Sequence, residues 1–328
     1  MRIFYFALFL SIFLSIQCKM EAQRYFVTNL YAYDLYTINP AAASIKSDCF
    51  FINAYAQKQW FGTDNAPTTQ ILSYYQGFHN DLGVGAYIYN DANGYTRDQG
   101  GQITGAYAVT LFETTRKTGH LLFGMSGIIN NKSIDMSVLD GSANFDPSLN
   151  GKTSGIGYNA NAGIMLIVNS YQLGFSATNM LPTRNSLYSQ QEEPTTHMDL
   201  NFYSSILFKV PEIDLFIEPQ LFYRRNNYLD SRADLNVKLT APTSMESLIL
   251  WGLVGYRHNT YEIENSSSGV AATLGVVWNN INVGLEYQFG LTGARQTYGN
   301  AYQLIIGYSH CMWPKKGAIP CPKLKNVR

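Results

Sequence analysis

The sequence is short of charge. Only 14% of its residues are Asp, Glu, Lys or Arg, against roughly 25% in soluble domains. The 23 basic residues balance the 23 acidic ones, so no basic surplus points to a nucleic acid. Past residue 22 there is no apolar run of the roughly 18 residues that a spanning helix requires. The five histidines (His79, His120, His197, His258 and His310) are scattered among turns and strand ends, none at metal-ligand spacing from another ligand. Gly124-Met125-Ser126-Gly127 is not a nucleophile elbow, because nothing near it supplies a base. Asp91-Ala92-Asn93-Gly94 matches a fragment of a calcium loop without its later acidic ligand. These absences argue against an enzyme and leave no candidate catalytic, metal or cofactor site.

Residues 1–22 stand apart. Arg2 gives a short positive start, Ile3–Ile16 is an apolar run, and Lys19, Met20 and Glu21 end it. That is too short to span a membrane and fits an export signal, with cleavage expected near Ala22. Lipidation of Cys18 is the rival reading, but Gln17 is bulky where a lipoprotein signal carries a small residue. An exported chain with no spanning helix is either soluble or a barrel, since only those backbones stay satisfied.

What the chain does have is alternation, aromatics and glycine: 24 Tyr, 18 Phe and 27 Gly. In Ala271–Leu291, residues Ala272, Leu274, Val276 and Trp278 share one face, and after Asn279-Asn280 so do Ile281, Val283, Leu285, Tyr287, Phe289 and Leu291. The other face is Thr, Gly, Asn, Glu and Gln. Period-2 alternation around two residues able to take positive φ reads as a hairpin. Its register pairs Trp278 with Ile281, Val276 with Val283 and Leu274 with Leu285, apolar against apolar. Asn169-Ser170 repeats the device, pairing Val168 with Tyr171 and Ile164 with Phe175. Arms of about ten residues span a bilayer when tilted.

From Phe50 onward the same pattern predicts fourteen strands: near 50–58, 67–77, 82–90, 99–111, 120–130, 158–168 and 171–179, then 198–210, 213–224, 233–241, 248–257, 268–278, 281–291 and 299–309. Brief connections (Phe78–Asp81, Asn169-Ser170, Pro211-Glu212, Asn279-Asn280) alternate with longer, wetter ones (131–157, 180–197, 258–267). Phe112–Gly119 is long for the brief series. Short periplasmic turns and long outer loops mark an outer-membrane barrel. A secreted sandwich or propeller would instead carry Lys, Glu and Thr on its solvent face. The expected fold is therefore an all-β transmembrane antiparallel barrel over residues 49–310. It is preceded by a periplasmic or luminal segment, 23–48, in which Asn39-Pro40 breaks any regular element, and followed by a periplasmic tail, 311–328.

Past the signal, Cys49, Cys311 and Cys321 remain, and an odd number in an oxidising compartment leaves one unpaired. Cys49 opens the first strand and Cys311 closes the last, so a Cys49–Cys311 bond would staple the seam, whereas Cys311–Cys321 would close a loop in the tail. Lys315, Lys316, Lys323, Lys325 and Arg328 make that tail basic, able to meet an acidic periplasmic partner.

Three stretches resemble the PorP/SprF family of type IX secretion system outer-membrane proteins of Bacteroidetes. They are Tyr36-Thr37-Ile38-Asn39-Pro40-Ala41-Ala42-Ala43; Gln59-Trp60-Phe61-Gly62 followed by Ala66-Pro67-Thr68-Thr69; and Gly83-Val84-Gly85 leading to Asn90-Asp91-Ala92-Asn93-Gly94. Weaker echoes follow at Leu122-Phe123-Gly124, Asn161-Ala162-Gly163, Gly255-Tyr256-Arg257 and Tyr302–Tyr308. Ser44 and Asn65 depart from the pattern where the family usually has Gly, and Lys58 where it has Arg. The motif residues read as structural: Pro67 heads a strand without losing a ladder bond, Trp60 suits an interfacial anchor, and Asp91–Gly94 forms a turn in which Gly94 takes positive φ.

The resemblance implies a protein of the bacterial outer membrane without covalent chemistry. It would help secrete or anchor cargo such as a gliding adhesin, with outer loops gripping the exported protein and the rim or tail facing periplasmic secretion components. The alternative is a transporter of the FadL type, also fourteen-stranded with an Asn-Pro-Ala stretch, whose N-terminal segment acts as a hatch for hydrophobic solutes. The small polar inward faces weaken that alternative.

Overall fold

A computed structural model describes residues 29–60, 65–114, 117–135, 153–187, 197–226, 230–245, 247–260, 266–292 and 300–311. The expected leader, Cys18 within it, Gly62, and the tail with Cys321 lie outside the described residues. Among the described residues there are fourteen strands: β1 (Cys49–Lys58), β2 (Thr68–Gly77), β3 (Leu82–Asn93), β4 (Thr96–Glu113), β5 (Thr118–Ile134), β6 (Ser154–Val168), β7 (Tyr171–Thr178), β8 (Asp199–Ile206, resumed at Phe208–Val210), β9 (Leu215–Asn226), β10 (Ser231–Pro242), β11 (Leu248–Thr260), β12 (Ser266–Trp278), β13 (Ile281–Gly290) and β14 (Ala301–Cys311). Each pairs antiparallel with the next, and β14 pairs with β1, which closes the barrel.

Alternation decides which side of the wall each residue occupies. Leu274, Trp278, Ile281, Leu285 and Phe289 are exposed on the outside, as are Ile88, Ile103, Met125 and Val254 on other strands. Thr273, Glu286, Gln288 and Gln303 are buried on the inside. Leu274 alone is 78% exposed, and a continuous outward band of such residues is stable where lipid replaces water. The hairpin registers are those the alternation predicts, with Trp278 opposite Ile281 and Leu274 opposite Leu285, and Val168 opposite Tyr171. Asn169 and Asn279 take left-handed φ of 53° and 55° in the two tight turns.

Three local differences have physical causes. The turn between β4 and β5 shrinks to residues 114–117, because both strands run on past the apolar stretch. Asp91 lies in β3 and not in a turn: β3 continues to Asn93, and the reversal is made by Gly94 at φ 60° with Tyr95. The eighth stave is broken at Leu207. There Pro219, which has no N–H to donate, stands across from the break between the Ser205–Gln220 and Phe208–Ile217 pairs, which keep one register.

Cys49 and Cys311 stand opposite one another at the end of the β1–β14 ladder and are joined by a disulfide spanning 262 residues. Residues Asn29–Asp48 do not stay at the mouth. They run through the lumen as three single 3-10 turns, Leu30–Ala32, Leu35–Thr37 and Pro40–Ser44, and almost every residue from Asn29 to Ser44 is buried or half-buried.

Candidate functional site

The luminal segment is the part of the molecule where polar and apolar groups from nearly every strand converge. Its second half is shaped by backbone constraints. Asn39 has extended backbone, and its Oδ1 accepts from Ala41 N at 3.0 Å, capping the Pro40–Ser44 turn. Pro40 sits at the first helical position, where its missing N–H is not needed. Asn39 Nδ2 donates to the carbonyls of Ile164 and Phe175, both at 3.2 Å, which ties the turn to β6 and β7. Ala41, Ala42 and Ala43 are at most 1% exposed. They fit because the wall is bare behind them. A Cβ on Gly83 would stand 2.6 Å from Ser44 N, and one on Gly85 2.6 Å from the Tyr36 ring. A Cβ on Gly124 would collide with Pro40 and Ala41 backbone, and one on Gly163 with the Asn39 amide. The Asn-Pro-Ala motif and the scattered glycines are thus two sides of one contact.

The first half is held by charge and hydroxyl groups. Tyr31 OH donates to Asp234 Oδ2 at 2.7 Å and accepts from Asn236 Nδ2 at 2.8 Å. Asp234 also receives Arg232 Nε at 3.0 Å and Arg257 Nε at 3.2 Å. Arg232 reaches Asn29 Oδ1 at 3.3 Å, and Asn29 Nδ2 donates to Glu286 Oε1 at 3.2 Å. Tyr33 OH donates to Glu286 Oε2 at 3.0 Å and contacts Thr273 Oγ1. Two guanidinium groups and two carboxylates therefore close one buried network between the segment and β10–β13. A buried charge is tolerated only when paired and hydrogen-bonded in this way. The Tyr31 ring stacks on Phe222 at 4.2 Å, and Arg232 lies over both rings at 5.7 and 5.4 Å.

Between the halves stands Asp34. It caps the middle turn through Tyr36 N at 3.1 Å and accepts from Asn53 at 3.0 Å, Tyr55 at 3.0 Å and Ser73 at 3.1 Å. Burial pushes its carboxyl above the ordinary value, against the opposing pull of those donors. From Tyr36 a chain of bonds runs outward: Tyr36 OH to Thr104 Oγ1 at 2.8 Å, Gln102 to Thr104 at 3.1 Å, Asn161 to Gln102 at 2.8 Å, and Asn179 N to Asn161 at 2.9 Å. It ends at the root of the outer loop that follows β7.

The lumen is therefore not the wet bore that the small polar residues imply. Where the segment passes, the wall turns aromatic and apolar: Tyr55, Tyr75, Tyr87, Leu122, Met165 and Trp251 pack against it. A cavity of about 70 Å³ remains on the outer side of the segment, lined among others by Tyr31, Ile38, Asn161, Asn201, Phe222 and Arg224.

The remaining motif residues lie at the outer end of β1–β4. Gln59 N bonds Pro67 O at 2.9 Å across the first outer connection, and Pro67 is buried just before β2. Trp60 follows β1 half-buried, with a left-handed φ of 53°. Asn65 has φ 53°, and its carbonyl accepts from Gly94 N at 3.3 Å. Asn enters that conformation more readily than other residues bearing a Cβ, which explains how it stands in for the family's Gly. Asp91 accepts from Thr69 Oγ1 at 2.5 Å. These residues brace neighbouring strands and do not converge with Asn39, Pro40 and Ala41. The residues that the pattern did not single out are Tyr31, Asp34, Arg232, Asp234 and Glu286; Arg257 entered only as the end of the Gly255-Tyr256-Arg257 echo. For Arg232, Asp234 and Glu286 the one signal is an ionised group on an inward position of a strand poor in charge; Tyr31 and Asp34 lie in the luminal segment, outside any strand.

A closed barrel with an apolar belt and a segment of its own chain inside the lumen defines a class: an outer-membrane β-barrel with an internal segment. Comparison with known proteins places it within that class. The profile of the family described as "Type IX secretion system membrane protein PorP/SprF" matches residues 20–308, and the chain belongs to that family, in the bacterial outer membrane. No curated protein matches the sequence. Among solved structures it is similar to CdiB from Acinetobacter baumannii (9% identity, TM-score 0.44, 80% of this chain and 60% of that one). It is also similar to the CymD monoaromatic hydrocarbon channel (7% identity, TM-score 0.49, 88% and 94%) and to a TodX monoaromatic hydrocarbon channel mutant (12% identity, TM-score 0.48, 84% and 93%). The chain spans 60% of the length of CdiB. These likenesses concern the barrel and carry nothing further.

Proposed function

We propose that this protein serves type IX secretion as a docking part and not as a conduit. Its outer loops receive an exported surface protein, such as an adhesin, and its periplasmic rim or basic tail meets other components of the machinery. The observation that carries the reading is the filled lumen. The segment from Asn29 to Ser44 crosses the bore and is fixed on opposite walls, by the Asp234–Glu286 network on one side and by the Gly83–Gly124–Gly163 contact on the other. A barrel plugged so firmly works through its surfaces.

One observation favours a second reading, a FadL-type transporter of hydrophobic small molecules. The cavity above the segment has an aromatic floor of Tyr31 and Phe222. Deleting the gene separates the two. Loss of one or more exported proteins from the cell surface, with uptake of hydrophobic solutes unchanged, is the expected result. Reduced uptake with an intact surface proteome would overturn the docking role.

A further inference from the structure

Strand β6 outgrows its neighbour. It pairs with β7 from Val168–Tyr171 up to Ala162–Ala177 and then continues alone on that side to Ser154. The two-residue turn makes Val168–Tyr171 a hydrogen-bonded pair, so every second residue above it turns its N–H and C=O toward the β7 side. Ala160, Tyr158 and Ile156 therefore offer a ladder edge that β7 does not pair. Ile156 lies twelve positions above the periplasmic turn, beyond the roughly ten residues that cross the bilayer.

The chain covers this edge with the stretch 180–187, and it does so irregularly. Met180 N donates to Ala160 O at 2.9 Å, and Ser186 N to Ile156 O at 3.1 Å. The other bonds go through side chains: Ala160 N to Asn159 Oδ1 at 2.8 Å, Thr183 Oγ1 to Tyr158 O at 2.6 Å, and Ile156 N to Ser186 Oγ at 2.8 Å. Beside the edge, on the outward face, Ile156 and Tyr158 remain 60% and 63% exposed. At the root, Asn179 is held in left-handed backbone by Asn161, so the stretch beyond it hangs from a fixed point.

We propose that the upper edge of β6, residues 156–160, is a strand-addition site for an extended segment of the exported protein, which takes the place of residues 180–187. This deepens the docking role and rests on it. A true strand replaces the side-chain bonds with backbone ones in ladder phase, and its alternate side chains cover Ile156 and Tyr158, the usual basis of affinity and specificity in strand addition. A second copy of the chain does not fit the edge. Two barrels in one membrane are related by an axis along its normal, so strands tilted by about 35–45° would cross at roughly twice that angle instead of pairing.

The test fastens the loop to the edge. Ile156→Cys with Ser186→Cys, at positions joined by the bond from Ser186 N to Ile156 O, is introduced into the full chain in cells. Peptide mapping verifies the engineered bond, and the heat-dependent gel shift of the folded barrel verifies assembly. Surface proteins are then compared with those of the gene-deletion strain. The expected result is that the fastened barrel loses the same surface proteins as the deletion, while Ser186→Cys alone keeps them. Retention by the fastened barrel would overturn the edge site but not the docking role. Loss in Ser186→Cys alone would overturn it in favour of the loop as the contact, and a disulfide-linked dimer of Ile156→Cys alone in favour of a second copy. A deletion strain with a normal surface would overturn both readings.

Discussion

The two ends of the luminal segment are fixed by different physics. From Asn29 to Tyr33 the hold is directional: hydroxyl, amide, guanidinium and carboxylate groups meet at hydrogen-bond distance on β10–β13. From Asn39 to Ser44 it is largely a matter of shape, alanines and a proline laid against glycine backbone on β3, β5 and β6. A directional network fails when one partner is removed, because the others stay buried and unpaired. A shape contact fails when something is added. The two ends should therefore respond to opposite kinds of substitution.

The largest effect belongs to the polar end. Asp234→Ala leaves Arg232 and Arg257 with side chains only 3% and 6% exposed and no shared carboxylate. Breaking a buried pair this way costs about 3–5 kcal/mol. The purified barrel should melt at lower temperature, and a bilayer holding it should pass ions where the intact protein blocks them. A non-conducting, stable Asp234→Ala barrel would show that the shape end alone holds the segment.

Next comes Gly124→Val, which forces a side chain into the backbone of Pro40 and Ala41. Overpacking of this kind costs about 1–3 kcal/mol. Gly127→Val on the same strand is the control, since nothing lies within 4 Å of a Cβ there. Equal melting temperatures for the two variants would erase the distinction between the ends. Tyr31→Phe is a milder break of the network, about 0.5–1.5 kcal/mol for one hydrogen bond, because Asp234 keeps both arginines. Its effect should exceed that of Tyr256→Phe, whose hydroxyl bonds Ser268 at the exposed surface.

The same contrast decides what the sequence reveals. Strand number, hairpin register and the lipid-facing surface follow from period-2 alternation, because lipid punishes every misplaced residue. Asn39-Pro40-Ala41, Gly83-Val84-Gly85, Gly124 and Gly163 are visible as motifs too, yet their meeting in one contact is not, since they lie on different strands and the luminal segment. The polar end is harder still. Glu286 reads as one more residue on the wet face of a hairpin, and Asp234 and Arg232 as ordinary alternation in β10. Tyr31 lies 203 residues from Asp234, and no local pattern links them. The filled bore also inverts an inference from composition, because small inward residues make room for another piece of chain and not for water.

Asp34 lies between the two ends and gives the smallest and most diagnostic difference. Its bonds come from a backbone N–H, an amide and two hydroxyls. Those donors favour the carboxylate, whereas burial favours the acid and wins, holding the carboxyl above its ordinary value. A carboxyl raised on folding contributes stability that is complete below its unfolded value, about 4, and is lost as pH rises through the folded value. Asp34→Asn keeps the size and cannot ionise. Between pH 4 and pH 8 the melting temperature of the intact barrel should therefore fall relative to that of Asp34→Asn. The opposite slope would mean that the four donors outweigh burial, and that the middle of the segment is held as directionally as its first turn.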